Sequence, residues 1–167
     1  FFQHILKSMD PKTGRCAILF PHGVLFRNEE SGMRTKLIEA DLLECVLGLG
    51  PNLFYNSPME ACVLICRASK PSGRKRKVLF INALKDVARE KAQSFLKPEH
   101  QARILEAYGD FADKPGFTYV ATTKEALAKN GDLSIPKYVE KFTADGVGEG
   151  SQYLPAAWAS FEGDGRV

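Results

Sequence analysis

Leu43-Glu44-Cys45-Val46-Leu47, a loop of thirteen residues from Gly48 to Glu60, and then Ala61-Cys62-Val63-Leu64-Ile65-Cys66 decide the fold. Both apolar runs have strand length, and the Gly-, Pro- and Asn-rich loop between them holds no helix pattern. Parallel neighbours need a connection of about a dozen residues that usually contains a helix, so this pair is expected to be antiparallel. Upstream the order is different. Cys16-Ala17-Ile18-Leu19-Phe20 is a continuous apolar run broken by Pro21-His22-Gly23, and Met33, Leu37 and Ile38 then make a helical stripe within Ser31 to Asp41. Strand, helix and strand in that order predict a right-handed parallel crossover, with the first strand buried on both faces.

Reading further outward, Phe1 to Leu6 is the amphipathic end of a helix with no capping residue before it, so the chain is expected to begin inside a larger protein. Asp10-Pro11-Lys12-Thr13-Gly14 is a turn. Val78-Leu79-Phe80-Ile81 is another apolar strand. Past Asn82 the pattern becomes helical: Ile104, Leu105, Tyr108 and Phe111 share one face after Pro98-Glu99, and Thr122-Thr123-Lys124-Glu125 opens a short helix that stops at Asn130-Gly131. The expected fold is α/β, a mixed sheet of parallel strands with antiparallel edge strands, followed by C-terminal helices. Three segments are expected: residues 1–83 as the sheet unit, 84–142 as a helical extension packed on it, and 143–167 as a Gly- and acid-rich flexible tail.

Composition narrows the function classes. No apolar run approaches the roughly 20 residues needed to cross a bilayer, and there is no signal-peptide pattern, so a cytoplasmic protein without membrane contact is expected. Cys16, Cys45, Cys62 and Cys66 lie in apolar stretches at spacings that fit neither a metal knuckle nor a disulfide framework. The net charge of +3 is unevenly spread: residues 143–167 hold four acids and one base, which leaves +6 on residues 1–142.

Three stretches carry a resemblance to a known family. Gly-Arg-Cys-Ala-Ile-Leu-Phe-Pro-His-Gly-Val-Leu-Phe-Arg (14 to 27) resembles the strand and turn of the modification subunit of type I restriction-modification systems, and Arg34-Thr35-Lys36-Leu37-Ile38-Glu39 its following helix. Leu49-Gly50-Pro51-Asn52-Leu53-Phe54-Tyr55-Asn56-Ser57 with Ala61-Cys62-Val63-Leu64 resembles its next strand-loop-strand, where the family usually has proline in place of Gly50. Leu133-Ser134-Ile135-Pro136-Lys137-Tyr138-Val139 resembles its closing segment. The resemblance implies part of a Rossmann-like S-adenosylmethionine methyltransferase sheet, with residues 1–83 as the second half of the catalytic domain. It further implies adenine-N6 methylation of double-stranded DNA, and a specificity subunit and a restriction subunit as partners. The family's Gly-rich cofactor loop and Asn-Pro-Pro-aromatic element are absent from this sequence. S-adenosylmethionine is therefore expected to be bound mainly by an upstream half, no catalytic, cofactor-binding or metal residue is expected here, and the chain alone is expected to be inactive. The alternative is a non-catalytic interaction module that holds a specificity or restriction subunit.

Two groups are the candidate site residues. Phe54 and Tyr55 stand in a polar loop at the carboxyl end of a strand, where open α/β sheets place ligands. A base taken out of the duplex is held between aromatic or apolar faces, and the resemblance puts this loop beside the target adenine. The competing reading is that one of the two plugs the sheet end as core. Arg67, Lys70, Arg74, Lys75, Arg76 and Lys77 place six cations in eleven residues, a pattern that suits either phosphates or a solvated, aggregation-resistant hairpin. His22 follows a strand end, but no Ser, Cys or carboxylate near it in the sequence completes a nucleophile system, and a general-base role is discounted.

Overall fold

The stretch Leu43–Leu49 is apolar on both sides because both sides are covered: every residue of this strand except Leu47 is buried. The computed structural model describes residues 1–55, 57–91 and 93–140. In chain order they form α1 (Phe2–Ser8), β1 (Arg15–Pro21), α2 (Ser31–Glu39), β2 (Leu43–Leu49), β3 (Ala61–Arg67) and β4 (Lys77–Ala83). A hairpin of β5 (Ala88–Glu90) and β6 (Gln93–Phe95) follows, then α3 (Pro98–Asp110), β7 (Thr118–Thr122), α4 (Thr123–Ala128) and α5 (Pro136–Val139). The expected tail at 143–167 lies outside the described residues.

The main sheet has the order β1-β3-β2-β4-β7. β2 and β3 are antiparallel, with Leu49 opposite Ala61, as the helix-free connection requires. β2 and β4 are parallel, with Cys45 opposite Leu79, so the sheet is mixed. β1 and β2 run the same way but do not touch, because β3 is inserted between them and pairs antiparallel with each. One antiparallel strand is therefore interior, and β7 is an antiparallel edge on β4. The expectation of a buried β1 is corrected. Only Ile18 in this strand is buried and Leu19 is 48% exposed, because β1 is an edge strand with a half-covered face.

Residues 84–142 are also not purely helical. β7 is part of the main sheet and β5–β6 form a second one, so this segment is continuous with the core. The strand signal was weak because β5 and β6 are three residues each. On one face of the sheet Val46, Leu64, Cys66 and Phe80 pack with Leu37 and Ile38 of α2 and Tyr138 of α5. On the other, Cys45, Leu79 and Ile81 pack with Ala107 of α3 and with Phe117. Leu105, expected on that inner face, is exposed. Tyr138 stacks on Phe80 at 3.8 Å between centroids and donates its hydroxyl to the Asp132 carbonyl at 2.5 Å, which anchors the closing segment.

Two buried charges tie the layers together. Arg34 of α2, 2% exposed, donates from Nε to the Gly131 carbonyl at 2.8 Å and from Nη1 to the Val24 and Arg27 carbonyls at 2.9 and 2.8 Å. Glu44 of β2, 0% exposed, accepts from the Tyr108 hydroxyl at 2.5 Å and lies 3.5 Å from the guanidinium groups of both Arg67 and Arg74. Removing the carboxylate leaves the Tyr108 hydroxyl and the partly exposed Arg67 and Arg74 without their shared acceptor, so Glu44→Ala is expected to lower the unfolding free energy of the intact subunit by about 1–3 kcal/mol. Denaturant melts against Lys75→Ala, an exposed control, read the difference; equal midpoints would show that this cluster contributes nothing.

Candidate functional site

The parallel strands give the sheet two chemically different ends. At the carboxyl end of β1, β2 and β4 lie Pro21, Leu49 and Ala83, beside Ala61 at the start of β3 and Thr118 at the start of β7. At the amino end lie Arg15, Arg67, Leu43, Lys77 and Thr122. The aromatic loop leaves from the first end and the basic loop from the second. Seven-residue strands at about 3.3 Å per residue set the two loops roughly 20 Å apart.

At the carboxyl end, Phe54 and Tyr55 differ. Tyr55 is 85% exposed, whereas Phe54, 38% exposed, leans into a shallow apolar cleft of about 220 Å³. Leu49, Leu53 and Phe54 form one wall of the cleft and Phe95 and Leu96 the other. The backbone holds the walls together: Ser94 N–H donates to the Asn52 carbonyl at 2.8 Å, and Asn52 takes a left-handed φ of 60° to present it. Gly50 is needed here. A Cβ at this position would sit 2.5 Å from the Leu84 carbonyl and 2.9 Å from Val87, so proline, usual in the resembling family, does not fit this close approach.

His22 sits at the same end. Its Nδ1 is 3.4 Å from Glu60 Oε2, and its Nε2 is buried without a hydrogen-bond partner beside Gly48. Burial pulls its pKa below the ordinary value, opposed by Glu60 and by the backbone at Ala61, so the ring is neutral at pH 7. Glu60 is not visible in the sequence as its partner because 38 positions, α2 and β2 among them, separate the two.

At the amino end the six cations divide. Lys70, 4% exposed, binds Asp41 at 2.6 Å and the Lys77 carbonyl at 2.9 Å. Arg67 pairs with Glu44, and Arg74 adds hydrogen bonds to the Tyr108 and Gly109 carbonyls and lies 4.6 Å over the Phe111 ring. These three act inside the fold. Lys75, Arg76 and Lys77 are exposed, although the Arg76 backbone N–H is fixed by the Asp41 carboxylate. Glu44 was visible as an acid inside an apolar run, a signal that it needs cationic partners without saying which they are.

The lining of the cleft is that of an apolar contact surface. Its polar members are Gln93 and Ser94, and the rest are Leu49, Leu53, Phe54, Phe95 and Leu96. The described residues do not group three or more His, Cys, Asp or Glu side chains as a metal site. Burial raises the Cys45, Cys62 and Cys66 thiols, Cys62 to about 12, so these residues are protonated packing groups.

The chain belongs to the N-6 DNA methylase family, whose model matches residues 1–146. It is 33% identical over 78% of its length to the type I restriction enzyme MjaVIII methylase subunit of Methanocaldococcus jannaschii, of which it covers 23%. To the HindI methylase subunit of Haemophilus influenzae it is 31% identical over 83% of its length, covering 33% of that protein. The crystal structure of a type I restriction-modification system methyltransferase subunit from Streptococcus thermophilus matches 83% of this chain with a TM-score of 0.76 and 33% identity, over 29% of its own length. This sequence therefore spans about a quarter to a third of these relatives. Among the described residues no helix is long and apolar enough to cross a membrane.

The His22 environment makes a pH test of this end of the sheet. A histidine whose folded pKa is depressed takes up a proton in the unfolded chain first, so stability is full above about pH 6.5 and falls as pH drops below it. In His22→Gln that acid-side loss is expected to shrink. Denaturation midpoints at about pH 7.5 and pH 5.5, on either side of the ordinary histidine value, measure it. An unaltered difference between the two pH values would remove His22 as its source.

Proposed function

We propose that the complete methylase subunit carrying this sequence transfers a methyl group from S-adenosylmethionine to N6 of adenine in double-stranded DNA. It does so in the cytoplasm, in an assembly with a specificity subunit and a restriction subunit. The observation that carries this reading is the aromatic pair at the carboxyl end of β2, in a chain of the N-6 DNA methylase family. Ligands of open α/β sheets bind beyond the carboxyl ends of the strands. An extruded adenine needs an aromatic or apolar face there to recover part of its lost stacking.

In this reading the chain contributes one wall of the base site, and its residues bind and orient rather than transfer protons. Phe54 supports the base from the cleft, and Tyr55 covers it from the solvent side. The methyl donor is held by residues outside those described. Of the basic loop, Lys75, Arg76 and Lys77 remain available for phosphates, about a strand length from the target base. The same exposed cations also suit a non-catalytic role as the contact for a specificity or restriction subunit. Neutralising all three in the complete assembly separates these roles. A phosphate-binding role predicts weaker DNA binding and a salt slope lower by about one for each phosphate no longer bound. A subunit-binding role predicts dissociation of the assembly with the slope retained.

Two outcomes are expected for the chemistry. The 167-residue chain alone binds no S-adenosylmethionine in calorimetry, and micromolar binding would contradict the assignment of the donor site elsewhere. In the complete enzyme Phe54→Ala lowers the methylation rate on duplex DNA by roughly one to two powers of ten, at about 1.4 kcal/mol for each, from a stacking contribution of about 1–3 kcal/mol. A mismatch opposite the target adenine restores part of that loss. If Phe54→Ala instead lowers only the melting temperature, the residue is a core plug.

A further inference from the structure

The basic loop and the aromatic loop lie at opposite ends of the sheet. We propose that the β5–β6 hairpin is a second DNA-binding element, with Phe95 facing Phe54 across the cleft and Arg89 and Lys91 holding the phosphates of the same strand. The proposal rests on the methylase reading above and adds the element that completes its substrate wall.

Four observations bring the hairpin to this role. The hairpin is bonded to the aromatic loop from Ser94 to Asn52 at 2.8 Å, and the segment leading into it approaches Gly50 closely at Leu84 and Val87. Among the described residues, Phe54, Tyr55, Met59 and Phe95 all remain exposed on this loop and hairpin, a concentration of large apolar side chains that marks a binding surface. The segment that carries the hairpin has a net positive charge. Residues 84–97 hold Lys85, Arg89, Lys91 and Lys97 against Asp86 and Glu90, and Asp86 is already neutralised by Arg103 at 2.5 Å. Finally, Arg89 stands opposite Ser94 in the hairpin register, and Lys91 sits in its turn with a φ of 55°, so both are carried on a short paired element and both are exposed.

Aromatic faces for bases beside cations for the backbone are how single-stranded nucleic acid is held, and an extruded nucleotide with its flanking phosphates presents that chemistry locally. A protein ligand would use the apolar cleft but would not need the cations. A duplex that stays stacked would use the cations but not Phe95.

The test uses the complete methylase assembly and duplex DNA containing its recognition site. Arg89→Gln/Lys91→Gln, on exposed positions that leave the fold intact, is expected to weaken DNA binding about tenfold and to lower the slope of log affinity against log salt by about two. Phe95→Ala is expected to slow methylation about tenfold on matched duplex and much less when the target adenine is mismatched. Unchanged affinity, slope and rate in both variants, with an active wild-type assembly, would overturn the hairpin assignment and leave the methylase reading standing. A wild-type assembly that transfers no methyl group to DNA would overturn both.

Discussion

The Glu44 carboxylate is the interaction on which the two halves of this structure depend. It is fully buried in the central strand of the sheet, and it draws Arg67 from the end of β3, Arg74 from the basic loop and Tyr108 from α3 to one point. A buried carboxylate is tolerated only when its charge and lone pairs are met, so each partner is required by the others. The Tyr108 hydroxyl is pushed up to about 12 by burial first and by Glu44 second, which keeps it a donor throughout the ordinary pH range. Because α3 is fixed through this cluster, its Ala107 packs over Cys45 of β2 and Leu79 of β4, and β1 at the sheet edge keeps less cover.

That cluster also explains why the run of cations in the sequence is not one exposed patch. Six neighbouring cations look like one patch, yet three are internal counter-ions and only the exposed remainder faces outward. The acids that hold this loop, Asp41 and Glu44, are 23 to 35 positions upstream of the residues they bind, Lys70 and Arg76 for the first and Arg67 and Arg74 for the second. Linear spacing therefore hides the pairing. The segment following β4 shows the reverse. Its four cations, Lys85, Arg89, Lys91 and Lys97, are spread over thirteen positions and attract no attention as a run, and two of them are carried on the hairpin whose Ser94 is bonded to the aromatic loop.

Most of the sheet was legible because strand length and the missing helix between β2 and β3 are local signals. The helix boundaries around α4 were legible for the same reason: Thr122 caps it by accepting from the Glu125 N–H, and Asn130 and Gly131 follow its end with left-handed dihedrals. Strand order was not. Nothing local in β3 says that it enters between β1 and β2, since that choice is made by long-range pairing and by which faces remain to be covered. β5 and β6 escaped for another reason. Three-residue strands have no period to detect, and they exist here because Gly50 lets Leu84 approach and the Asn52 carbonyl is free to accept.

Among the described residues β1 makes one set of ladder bonds, to β3, and on its other side a row of main-chain donors and acceptors is not paired by them. Between Arg15 and Pro21 that row carries five uninterrupted apolar residues, with the usual guards of charge and proline only at its ends. An edge of this kind recruits strands from whatever chain is nearest, including another copy of itself. Whatever pairs with this side of β1 meets five apolar side chains in succession, and a charged residue in place of Leu19 is the smallest change that would discourage a second copy of this polypeptide from doing so.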